Sequence, residues 1–410
     1  MTTISKATNT KVLFVSFVAW TLTNMDQAFF GYAIPGILEE FNLPLEAAGL
    51  ILTVSFMVAS IMLLFTGVAA DKFGRGPMLS LYLAISALLV GLQGVAGGVL
   101  LLTVFRALGF GFSSGLSPIT NAYVVENVAP RIRGLAMGVL QCGYPLGWFL
   151  ASLIAVPLLA NYGWRVMCFA AFAVIPLAFL FHWMLRDAPD VTKTAPGAQS
   201  GGESTTSKGN IRALFAPKYR KSSLASIATY FAFGGAYAGS AFYFPTFFVE
   251  TRGYSQADAT GLVGLSNGIG IFGYLLAAFI GEYVMTRRNV FILWALGGTL
   301  ALGGLLWLSD NQVSDMIWYG LTAALFYGSL AVLPVLIAEI FPQEIRASAL
   351  SVCASAPLSL GFAVFPLVVP FVVTATGWQV GFSLVICPLL AVSALIALLL
   401  PNRQSGLGIN

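Results

Sequence analysis

Histidine and charge are what this chain has least of. Among 410 residues there is one histidine, His182, and only 9% are aspartate, glutamate, lysine or arginine, against roughly 25% in a soluble domain. One histidine builds neither a histidine metal centre nor a histidine relay, so no metal site is expected. The four cysteines, Cys142, Cys168, Cys353 and Cys387, lie in apolar runs. They have neither metal-ligand spacing nor the pattern of a secreted disulfide framework. A phosphate-binding glycine loop with lysine, a nucleophile elbow and a metal-binding helix motif are all missing. Their absence speaks against an enzyme, against ATP-driven pumping and against a cofactor. The net charge of +4 is spread through short loops instead of one face, so nucleic acid is not expected as a partner.

What is present is apolar length: 58% of the residues are hydrophobic. Apolar segments fall at 12–38, 47–70, 78–97, 99–125, 135–159, 165–185, 223–249, 257–284, 289–308, 314–340, 347–374 and 378–400. Twelve spans of this kind use roughly 250 residues, each long enough to cross a bilayer. The first run, about 27 residues, is too long for a signal-peptide core. The expectation is an all-α membrane protein with twelve transmembrane helices. With the N-terminus inside, all of the 20 lysines and arginines except Arg106, Arg165 and Arg252 fall on the cytoplasmic side. Glu39, Glu40, Glu46, Glu250, Asp258, Asp310 and Asp315 fall outside. That asymmetry predicts cytoplasmic termini, in a bacterial inner membrane. A Gly-, Ser-, Thr- and Lys-rich segment, 187–222, reads as a linker between six-helix bundles 1–186 and 223–410.

The two halves repeat. Glu126, Pro130 and Arg133 match Glu339, Pro342 and Arg346; the glutamates are 213 residues apart. Gly163-Trp164 and Gly377-Trp378 open spans six and twelve, 214 apart. Parallel six-span repeats are a transporter architecture.

After span two the chain reads Gly67-Val-Ala-Ala-Asp71-Lys72-Phe-Gly74-Arg75-Gly76. This resembles the Gly-x-x-x-Asp-Arg/Lys-x-Gly-Arg-Arg signature of the major facilitator superfamily, without its last arginine. After span eight, Gly281-Glu282 and Arg287-Arg288 keep the glycine and the basic pair but not the aspartate. Residues 121–149, 163–189 and the stretch Asn24-Met-Asp26-Gln27 to Pro35 look like the proton-coupled symporters of aromatic and other organic acids. The usual first aspartate of that group is replaced by Thr23 or Asn24.

An ionisable side chain in hydrocarbon costs at least ~2.5 kcal/mol. Two lie well inside spans: Asp26 in span one and Arg106 in span four. The resemblance implies that spans one, four, seven and ten line a cavity, so that Asp26 and Arg106 share one path. Burial opposes a carboxylate's charge and a nearby arginine supports it. When Arg106 turns to an anionic substrate, Asp26 takes a proton more readily. Asp26 is therefore read as the proton-coupling group and Arg106 as its charge partner or the substrate anchor. A buried pair that merely ties span one to span four is the plainer alternative.

The candidate substrate-binding residues are Arg106, Asn24, Gln27, Gln141, Tyr144, Tyr237, Asn267 and Tyr327. Gln141, Tyr144 and Trp148 recur at helical spacing on one face of span five. Aromatic rings with a few amides suit a carboxylate bearing a ring or apolar body; interhelix packing is the alternative for each residue. The resemblance implies a cytoplasmic gate at Gly67, Asp71, Lys72, Gly74, Arg75, Glu126, Arg133, Glu339 and Arg346. Surface ion pairs stabilise little, so that role concerns switching between states. The expected function is proton-coupled uptake of a small organic anion, a monocarboxylate such as an aromatic or sugar acid. A proton-driven exporter of amphipathic compounds is the alternative. The expected partners are the anion, protons and the lipid bilayer, with the chain working as a monomer.

Overall fold

The computed structural model describes residues 6–128, 133–186 and 211–402, and its regular structure is wholly helical among them. The first four spans are α1 (Lys6–Glu40), α2 (Leu45–Phe73), α3 (Arg75–Gln93) and α4 (Val99–Asn127). α5 (Arg133–Phe169) carries the fifth and runs into the sixth, which continues through a 3-10 turn, Ala170–Ala173, to α6 (Val174–Leu185). A short α7 (Ile211–Leu214) precedes the seventh, made of α8 (Arg220–Ala241) and α9 (Phe244–Arg252). The eighth and ninth are α10 (Gln256–Tyr283) and α11 (Arg287–Trp307). The tenth is α12 (Gln312–Leu325), a 3-10 segment Tyr327–Ala331 and α13 (Leu333–Ile340). The eleventh is α14 (Gln343–Ala349), a π-helical turn Leu350–Ser355 and α15 (Ala356–Thr376), and α16 (Trp378–Ala397) is the twelfth.

The fifth and sixth spans, expected as separate runs, are interrupted only at Gly163, with φ 80° and ψ 177°. Its repeat counterpart Gly377 has φ 83° and ψ 164°. Both stand in a left-handed region that glycine enters without steric cost, and both precede a buried tryptophan, Trp164 and Trp378. The internal repeat thus extends to backbone conformation.

Spans seven and eleven approach to backbone contact. A Cβ on Gly361 would lie 2.5 Å from the Phe231 carbonyl oxygen and 2.6 Å from the Gly235 nitrogen. In the first half, a Cβ on Gly147 would lie 2.5 Å from the Thr21 carbonyl oxygen. Small residues permit such approach where lipid supplies no hydrophobic drive between helices. The outer faces carry Leu64 at 74% exposure, Leu100 at 81% and Leu300 at 76%. Such faces suit lipid and not water, and the chain is an integral multi-pass membrane protein.

The chain divides into two compact units. The first holds the described residues of 1–47, 54–201 and 248–264; the second holds those of 48–53, 202–247 and 265–402. Two short stretches are thus exchanged relative to the expected halves. Most of the expected linker, 187–210, lies outside the described residues.

Candidate functional site

The first unit encloses two charged side chains, one near the middle of α1 and one in the first third of α4. Asp26 of α1 and Arg106 of α4 are each 1% exposed. They are near enough for their charges to act on each other. The Arg106 guanidinium carbon sits 4.3 Å from the Phe30 ring centre and 4.7 Å from that of Phe110. Two ring faces thereby stabilise the cation with little water. Asp26 Oδ2 faces Ser86 Oγ of α3 at 3.4 Å, while Asp26 Oδ1 makes no hydrogen bond. Cys168, near the end of α5, lies within electrostatic range of both charges.

Sequence reasoning chose Asp26 and Arg106 and missed Ser86, Phe30 and Phe110. A lone serine among alanines and leucines carries no signal until the helices pack. Asn24 is buried and donates its amide to the Trp20 carbonyl of its own helix at 2.7 Å. Gln27 is buried close by in sequence. Gln141 is exposed, with Nε2 3.5 Å from Asn121 Oδ1. Tyr144 packs on the cluster of Trp20, Val124 and Leu140. Trp20 is six residues before Asp26, about 9 Å along the helix, so Gln141 and Tyr144 form a separate layer.

In the second unit the structure brings Tyr237 and Tyr327 together, ring centres 4.9 Å apart. Phe362 stacks on Tyr237 at 5.7 Å and 26°. Tyr327 opens the non-α segment of the tenth span. Just beyond it Tyr230 donates its hydroxyl to the carbonyl of Leu333, the first residue of α13, at 2.6 Å and ties α8 to the tenth span. Asn267 is buried in α10.

Charges cluster at one end of each unit. Arg75 Nη2 bridges Asp71 at 2.7 Å and Glu126 at 3.1 Å. Gly74, at φ 95°, makes the sharp turn that presents Arg75. Lys72 is exposed and lies over the Phe73 ring. A Cβ on Gly67 would meet nothing within 4 Å, so packing does not demand that glycine here. In the second unit Arg287 pairs with Glu282 and Glu339. Arg346 is exposed, and its Nε donates to the Phe341 carbonyl at 3.4 Å, because α14 begins beyond the turn that ends α13. Glu282 takes the place of the missing aspartate: Asp71, Arg75 and Glu126 correspond to Glu282, Arg287 and Glu339 at offsets of 211, 212 and 213 residues. The Arg133 side chain lies outside the described residues.

At the opposite end of the first unit Arg165, an exception to the charge asymmetry, is fully engaged. It meets Glu40 at 2.7 Å and donates Nη1 to the carbonyls of Gly94 and Ala96, each at 2.9 Å. Trp164 Nε1 donates to the other Glu40 oxygen at 2.7 Å. The Arg165 hydrogen bond holds the Glu40 carboxyl below its ordinary range. A depressed folded value means that the clasp stabilises above the ordinary glutamate range and fades as pH falls through the folded value. Wild type should therefore outlast Glu40→Gln in thermal unfolding at pH 7, by no more than about 1 kcal/mol because the pair is partly solvated. The gap should close in acid; a gap independent of pH would refute the assignment.

Known proteins resemble this chain along most of its length. A family model described as Major Facilitator Superfamily matches residues 12–334. The chain is 26% identical to a cis,cis-muconate transport protein of Acinetobacter baylyi, covering 92% of this chain and 90% of that protein. It is 26% identical to a gallate transporter of Pseudomonas putida, covering 83% and 80%. The crystal structure of a D-xylose-proton symporter superposes with a TM-score of 0.76 at 19% identity, covering 96% of this chain and 98% of that one. That likeness establishes the fold alone.

Proposed function

The chain belongs to the Major Facilitator Superfamily, as a transporter and not an enzyme, and we propose that it takes up a small organic anion together with a proton. The observation that carries this reading is the buried Asp26 facing the charge of Arg106 inside an apolar unit. Burial of an ionised carboxylate is unfavourable without a partner. Arg106 beside it favours the ionised form of Asp26, and burial opposes it. An arriving carboxylate competes for Arg106, and Asp26 then takes a proton. Substrate and proton enter as one neutral set, and release to the other side reverses the order. The two six-span halves alternate access by rocking, with the Arg75 and Arg287 clusters facing the cytoplasm and opening by exchange of partners. Both termini are cytoplasmic, the membrane is the bacterial inner membrane, and the working form is the monomer.

The cargo is a monocarboxylate, an aromatic or sugar acid. The Tyr237, Tyr327 and Phe362 rings support a ring body, and the muconate and gallate carriers support an organic acid. The test is lumen acidification in proteoliposomes holding a pH dye. Gallate, cis,cis-muconate, a hexuronate and the neutral sugar xylose are added outside in turn. At least one acid should acidify the lumen faster than in protein-free liposomes, and xylose should not. If no acid moves a proton, uptake by symport is rejected.

A further inference from the structure

Ser86 Oγ lies 3.4 Å from Asp26 Oδ2 and 3.0 Å from the carbonyl oxygen of Leu83, one turn back on α3. A serine hydroxyl has one proton to donate and two lone pairs. It can serve only one of these two oxygens at a time. Ionised Asp26 is purely an acceptor and draws the hydroxyl proton. Protonated Asp26 has a proton of its own to give; Ser86 then accepts it as a hydrogen bond and donates to the Leu83 carbonyl. The hydroxyl has two arrangements, and the charge on Asp26 selects between them.

We propose that Ser86 is a positioning residue for proton coupling: it holds the ionised Asp26 carboxylate to α3 and turns to Leu83 when Asp26 takes its proton. The proposal rests on the reading of Asp26 as the proton carrier. Ser86 is fully buried, so no water competes for its proton. The other groups around α1 do not replace it. Arg106 acts from α4 and Cys168 from α5. Arg165, also on α5, is committed to Glu40. Tyr82 of α3 faces Thr66. The titratable side chain of α6, His182, is exposed.

Infrared difference spectroscopy of the purified protein against pH tests this without a known cargo. The carbonyl band of protonated Asp26 is the one lost in Asp26→Asn. In Ser86→Ala its half-titration point should move up by about one pH unit, because the bond to the ionised carboxylate is stronger than the bond to the protonated acid. The band should also shift to higher frequency, and Ser86→Thr should restore both. An Asp26 band that titrates unchanged in Ser86→Ala overturns the role of Ser86 and leaves Asp26 standing. If Asp26→Asn removes no titrating band, Asp26 is not the proton carrier, and the role of Ser86 falls with it.

Discussion

Asp26→Asn reduces acid-driven lumen acidification to the leak of protein-free liposomes, while exchange of external for internal acid continues. Asparagine matches aspartate in size and keeps an oxygen for the Ser86 hydroxyl. It cannot take up a proton. Proton movement is lost, and the two-way exchange, which needs only the loaded carrier, remains. The substitution also leaves Arg106 without its nearby opposite charge. Breaking a buried pair costs up to ~3–5 kcal/mol, partly relieved here by the Phe30 and Phe110 rings over the guanidinium. Exchange is therefore measured beside coupling, so that a misfolded protein is not mistaken for an uncoupled one. Coupled flux at the wild-type rate in Asp26→Asn would make Asp26 a structural residue.

Gly361→Val lowers stability by about 3 kcal/mol or more, against typical overpacking costs of 1–3 kcal/mol. The Cβ alone would press on the Phe231 carbonyl and the Gly235 nitrogen. Both are backbone atoms, so no side-chain rotation relieves the clash. α8 and α15 must separate along the contact, and dispersion contacts fall away with small increases in distance. Gly303→Ala is the control: nothing lies within 4 Å of its Cβ position. Alanine there should leave the unfolding midpoint unchanged or raise it slightly through helix propensity. Equal midpoints for Gly361→Val and wild type in detergent would show that the two helices pack more loosely than described.

The twelve spans and the repeat were legible because bilayer thickness sets the length of an apolar run and helices satisfy the backbone locally. Asp26 and Arg106 were legible for the same reason, as charges where charge is costly. Pairings were not. Arg287 takes Glu339 because the start of α11 meets the end of α13, and nothing in the linear order selects it over Arg346. Arg165 looked like a violation of the charge rule until two free carbonyls, Gly94 and Ala96, met it. Phe362 joined Tyr237 and Tyr327 from a run in which every neighbour is apolar. Composition marks where charge is out of place; three-dimensional neighbours decide what answers it.

The π-helical turn at Leu350–Ser355 has a bookkeeping meaning. From Arg133 to Gly163 the first copy of the repeat takes 30 steps; from Arg346 to Gly377 the second takes 31. The second copy holds one surplus residue, and the wide turn lies inside that interval. A single residue passed along an ordinary α-helix would rotate everything after it by about 100°. Gly361 would then leave Gly235, and Trp378 would leave its buried seat. The wider turn confines the insertion to one loop of helix, so the two copies differ in length and still agree in phase at both ends.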